Sequence, residues 1–226
     1  MLTTLDQAVI DWGDLDKARE QSRELLLALA ADKAALGELV ARARETDDLF
    51  DKCEHHRLLD KLVVYDALER GMRIRVHLST SDHKDRPHDH RFSFTTLILR
   101  GRYRHVRHQL LAGTGEQVSN LSQDDFDAED AGLHVEPRFV TTESTGSCYT
   151  LHHSEIHTTF TTPLTVSLFL RGPAEKERSI ITDRQTGKAW WRYGEEQEKE
   201  PRRGAKRIGH DYFDELATKL RYLEVI

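Results

Sequence analysis

At Met72 the hydrophobic period of this chain changes from 3.6 to 2, and no other feature limits its possible folds as strongly. Before that point Leu25, Leu29, Leu36, Leu39, Val40 and Ala43 recur at helical spacing, with Arg, Glu and Lys between them. Asp47-Asp48 interrupts the pattern, and the spacing predicts a second short helix through Leu58, Leu59, Leu62 and Val63, ended by Gly71. After it, Met72, Ile74, Val76 and Leu78 alternate with Arg73, Arg75 and His77, as in a half-buried strand. Further strands are predicted over 92–99, 102–110, 138–142, 148–151, 157–161 and 165–170. Gly101, Gly113, Gly115, Gly146 and Pro163 punctuate them, and a hairpin turn is predicted at Asp183 to Gly187, before Trp190-Trp191. Many short strands with regular turns imply an antiparallel sandwich or barrel.

Two stretches read as irregular. One runs from Gly113 to Glu136 and is rich in Asp and Glu, but it lacks the ligand spacing and bend glycine of a calcium loop. The other is the charged run from Glu195 to Arg207. Phe213, Leu216, Leu220 and Leu223 then share one face of a closing helix. The expected organisation is a helical segment over 1–71 packed on a β domain over 72–194, followed by a linker and C-terminal helix over 195–226. A net charge of -6 argues against a nucleic-acid partner, which needs a basic surface. No apolar run approaches the ~20 residues that span a bilayer, so no membrane partner is expected. The acidic opening from Met1 to Trp12 does not read as an export signal. Two cysteines, Cys53 and Cys148, make no disulfide framework, and a cytoplasmic protein is expected.

The histidines point to chemistry. Ten of the thirteen fall between His77 and His157. His88 and His90 are two apart, which on extended backbone puts both rings on one face, able to reach one ion. His157 follows Gly146 by a spacing of five residues, His152-His153-Ser154, then two residues, and begins a strand that can approach the first pair. Three imidazoles with open positions beside them describe a catalytic metal site. His152, His153 and Glu155 are further candidates for that shell, while His105 and His108 are expected on solvent faces. Along 102–104, either Tyr103 or the arginines beside it face inward.

In these motifs the chain resembles the cupin superfamily. His88 and His90 match the paired histidines of the first cupin motif, and Gly101 matches its closing glycine. Gly146 and His157 match the second motif in spacing. Phe94 or Thr95 stands where the family places a glutamate ligand. The resemblance covers roughly 72–191. It implies a mainly β fold, a cupin-type antiparallel β-barrel (double-stranded β-helix) with N-terminal helices and a short C-terminal helix. It also implies a metal held by His88, His90 and His157. Among cupins, the three-histidine set behind N-terminal helices is similar to the thiol dioxygenases. That likeness extends to Val166-Ser167-Leu168-Phe169-Leu170 and to Asp183-Arg184-Gln185-Thr186-Gly187. Where those enzymes carry a Ser-His-Tyr series, this chain has Ser167, Phe169 and Arg171.

The resemblance therefore implies a non-haem iron(II) oxygenase acting with O2 on a small amino-acid-like or carboxylate-bearing substrate. Arg171 and Tyr103 are the candidate catalytic side chains. Zinc in the same site would instead serve a redox-neutral isomerase, lyase or N–N bond-forming reaction, and a non-catalytic ligand-binding cupin is the third reading. Exposed edge strands make a homodimer the expected assembly.

Overall fold

A computed structural model describes residues 2–56, 59–111, 134–183, 185–186, 188–194 and 204–226. Most of the acidic stretch after Gly113 and of the linker after Glu195 lies outside them. The leucine pattern before Met72 forms α1 (Leu2–Gln7), α2 (Leu15–Ala31) and α3 (Lys33–Glu45), then a short α4 (Asp47–Phe50). Asp14 caps α2, accepting a hydrogen bond from the Lys17 amide. Asp32 ends α2 and starts α3, with its carboxylate on the Ala35 amide. The closing helix, α5 (His210–Tyr222), buries Phe213, Leu216 and Leu220, as its pattern predicts.

Among the described residues the strands are β1 (Glu54–His55), β2 (Leu59–Ala67), β3 (Met72–Ser79), β4 (His83–Lys84), β5 (Phe94–Arg100), β6 (Arg102–Leu111), β7 (His134–Ser144), β8 (Cys148–Leu151), β9 (Ile156–Thr161), β10 (Val166–Arg171), β11 (Ser179–Thr182) and β12 (Ala189–Arg192). The helix expected through Leu59, Leu62 and Val63 is β2 instead. A strand with both faces covered loses its alternation and shows a continuous apolar run, here Leu62 to Tyr65. Gly71 closes a 3₁₀ turn (Leu68–Arg70) at φ 80° rather than an α-helix.

One sheet has the order β1-β2-β3-β10-β5-β8 and the other β4-β9-β6-β7, all pairings antiparallel. From β3 to β10 the chain crosses between the sheets at every step except the β6–β7 hairpin, the order of a jelly roll, which is the double-stranded β-helix of cupins. The expected barrel is thus two facing sheets rather than one closed ladder. The β11–β12 hairpin extends the second sheet through bridges from His88 to His157 and to Ile181.

The largest core does not lie between the sheets. Leu26, Leu29, Leu36, Leu39, Phe213 and Leu220 from the helices pack on Leu62, Ile74, Val76, Leu97, Leu168 and Leu170, which project from the outer face of the larger sheet. Alternation then turns Arg75, His77, Thr96, Ser167 and Phe169 to the inner face. The helices stabilise the fold and leave the space between the sheets for polar groups. At the turn from β5 to β6, Gly101 has φ 81°, and a Cβ there would lie 2.5 Å from Thr165 Oγ1, so only glycine fits.

Candidate metal centre

His88 and His90 do not open the strand expected to continue through Phe92, because β5 starts at Phe94. They lie in a segment stitched to its neighbours one residue at a time. His88 exchanges both backbone hydrogen bonds with His157 of β9 (3.0 and 2.9 Å), which sets the two residues directly opposite each other. Asp89, between the histidines, points away from them. Its carboxylate accepts the Ile180 amide at 2.8 Å and pairs with Lys176, tying the segment to the hairpin. His88, His90 and His157 consequently bring ligand nitrogens within 4.8 Å of one another.

Two of the three rings are oriented from behind. His88 Nδ1 lies 2.8 Å from the Arg86 carbonyl, which can only accept, so Nδ1 carries the proton and Nε2 keeps its lone pair. His157 Nδ1 lies 3.0 Å from His105 Nε2, and a proton on that Nδ1 leaves His157 Nε2 free in the same way. His90 Nε2 and His157 Nε2 stand 2.8 Å apart. Burial, and then the charge of His88, hold His90 and His157 well below the ordinary histidine pKa. Neutral rings whose lone pairs converge are what a divalent transition metal requires, so the set fits a metal.

His105 corrects the sequence expectation. It is fully buried and backs His157, with burial lowering its pKa to about 4. Alternation along β6 carried the signal: Tyr103 faces inward, and His105, two residues on, must share its face. Arg102 and Arg104 are exposed, which resolves the choice in that strand. His108, beyond the bulge between Arg107 and His108, is partly buried and meets Thr158 Oγ1 at 2.8 Å rather than facing open solvent. Loss of the His105 contact is expected to weaken metal binding by about 10–100-fold in His105→Leu, with partial recovery in His105→Gln, whose amide oxygen can again accept from His157. Chelator competition measures both.

The remaining candidates are distributed around the cleft. Arg171 is buried at the end of β10 with its guanidinium carbon 4.4 Å from the Phe92 ring, and that ring is 5.5 Å from His90. Its Nε is enclosed without a hydrogen-bond partner. Burial, with Arg75 and Arg73 nearby, lowers its pKa to about 9. The Tyr103 hydroxyl meets Ser167 Oγ at 2.7 Å across the sheets, and burial raises its pKa to about 12. Glu155 binds the His152 amide and lies 3.5 Å from Arg107. His152 and His153 form a separate group with Glu175, whose ligand atoms also lie within 4.8 Å of one another. Phe94 and Phe169 stack at 4.6 Å and, with Phe92, form an apolar wall beside His90.

No protein-family model matches the chain, and a search of curated proteins found no match. Solved structures with similarity include KdgF from Halomonas sp., at 12% identity over 55% of this chain and 89% of that one, TM-score 0.35. An RmlC-like cupin from Shewanella frigidimarina is 10% identical over 55% of this chain and 86% of that one, TM-score 0.37. The DMSP lyase DddQ from Ruegeria pomeroyi is 13% identical over 50% of this chain and 43% of that one, TM-score 0.31. The fold rests on the chain's own strand order, which is that of a cupin-type double-stranded β-helix.

Proposed function

We propose that this protein is a metal-dependent enzyme, a non-haem iron(II) oxygenase that acts with O2 on a small, carboxylate-bearing, amino-acid-like substrate. The observation that carries this reading is the convergence of three imidazoles in a group that contains no carboxylate. An iron(II) ion held by His88, His90 and His157 would keep its full positive charge and supply positions for both substrate and O2. Phe92, Phe94 and Phe169 would keep water from the reacting atoms on one side. Arg171, with an enclosed and unpartnered Nε, would clamp the substrate carboxylate. Tyr103, protonated at neutral pH, would act only as a hydrogen-bond donor, in concert with Ser167.

The same three nitrogens also suit zinc, with a fourth position open for a redox-neutral reaction. Metal analysis of protein purified without chelator, followed by oxygen uptake with a panel of amino acids and thiols, separates the two. Iron with substrate-dependent uptake is expected, and Arg171→Gln should raise KM by about 10-fold or more through loss of a charge-assisted pair. Zinc at full stoichiometry, with no uptake by iron-loaded protein, would place the redox-neutral reading first.

A further inference from the structure

His152 and His153 form a second convergent set, in the turn between β8 and β9. The Glu155 amide closes that turn on the His152 carbonyl at 3.0 Å. Neighbouring side chains on extended backbone point to opposite faces, but this turn brings both rings together, with centroids 3.9 Å apart. Glu175, in the segment after β10, completes the set. One ligand atom from each of the three residues lies within 4.8 Å of the other two. The His153 and Glu175 side chains are 22% and 25% exposed, so the set borders solvent, from which an ion can arrive.

Two features set this cluster apart from a surface ion pair. His153 Nδ1 lies 3.1 Å from Glu175 Oε2 and yet has no hydrogen-bond partner. The nitrogen and oxygen are close without being directed at each other, which is the relation of two ligands that share an ion. Burial also holds this ring below the ordinary histidine pKa, so it keeps a lone pair near neutral pH. The second feature is that one buried residue, Ser93, holds two of the ligands in place. Its amide donates to Glu175 Oε1 at 2.9 Å, leaving Oε2 to the histidines, and its Oγ accepts the His153 amide at 3.1 Å. Ser154 Oγ, 2.7 Å from His152 Nδ1, steadies the remaining ring. Hydrogen bonds of this kind orient metal ligands before the ion arrives.

We propose that His152, His153 and Glu175 bind a second divalent metal ion, zinc by the character of the donors, apart from the three-histidine centre. Two imidazoles and a carboxylate fill three of the four positions of tetrahedral zinc, and water takes the fourth. The ion ties the β8–β9 turn to the segment after β10, with Ser93 bonded to both. The same segments hold the first centre. The His90 amide bonds the His153 carbonyl at 3.4 Å, and Lys176, next to Glu175, pairs with Asp89. The second ion is therefore a brace for the segment that presents His88 and His90. It does not depend on which metal the first centre takes.

Calorimetric titration of the full-length His157→Ala chain with zinc tests the site with the first centre removed. One saturable zinc per chain is expected, together with a higher melting temperature in its presence. Adding Glu175→Gln keeps an acceptor for the Ser93 amide but removes the anionic ligand. Zinc affinity should then fall at least about 10-fold and the zinc-dependent melting shift should disappear, while the metal-free melting temperature stays level. A merely structural contact between His153 and Glu175 would give the reverse, a changed metal-free melting temperature with zinc affinity unmoved. No saturable zinc in His157→Ala, or equal affinity in the double variant, would overturn the inference. If His157→Ala fails to fold, the wild-type chain should take up one zinc more than Glu175→Gln alone, and equal uptake by the two would overturn it. That difference stands whether or not the three-histidine centre holds a metal, so the two readings fail separately.

Discussion

Replacing His157 by alanine is expected to strip the protein of metal, from about one ion per chain to less than a tenth, an affinity loss of roughly 1,000-fold or more. His157 is the ring on which the centre converges. It lies opposite His88 through paired backbone bonds, faces His90 at 2.8 Å, and is backed by His105. Two imidazoles remain without it, one of them oriented by the Arg86 carbonyl. The variant should still fold, at a cost of about 1–3 kcal/mol for leaving His105 Nε2 buried and unpartnered. Metal content by elemental analysis, with thermal melting as a folding control, reads both effects. His108→Ala, on the same strand as His105 but bonded to Thr158, should keep its metal. Full metal stoichiometry in His157→Ala would refute the three-histidine centre.

The metal-free protein should also lose stability steeply as pH falls from about 6.5 to 5. His157 and His105 are almost completely buried, and burial depresses both pKa values, that of His105 to about 4. Below about pH 6.5 the unfolded chain takes up protons on these rings that the native state does not. Stability is therefore complete above that pH and is lost as the pH falls toward the folded values. Each ring contributes about 1.4 kcal/mol per pH unit in that window, so the pair costs about 3 kcal/mol per unit. Against a typical total of about 5–15 kcal/mol, one or two units approach unfolding. Bound metal selects the neutral rings and should move the loss to lower pH. Urea midpoints of metal-free and metal-loaded protein at several pH values test this, and a flat metal-free profile between pH 7 and 5 would contradict it.

Much of the fold was legible where one face is buried and the other is not. The alternation from Met72 to Leu78 and the spacing of Phe213, Leu216 and Leu220 each record such a surface, and both elements form where the pattern places them. The helix expected through Leu59, Leu62 and Val63 is a strand because its central residues are covered on both faces, so the apolar run fits either period. The three histidines and their spacing could be read directly. Their backbone could not, because His88 and His90 sit on isolated bridges whose partners, His157 and Ile181, are distant in sequence. His105 was legible in principle, since strand alternation binds its facing to that of Tyr103.

By itself the sequence determined the periods, the turns, the helix that closes the chain and which imidazoles are spaced to share an ion. These are local properties, set by side-chain direction along a helix or strand. Only the tertiary structure decided that the main core lies outside the larger sheet, beneath the helices, and that Ser167 and Phe169 face the second sheet instead. It also decided that Asp89 turns to the hairpin while His105 backs His157. Which polar group ends beside which depends on strand order and register. Those are fixed by the joint burial of segments far apart in the chain, and no local pattern records them.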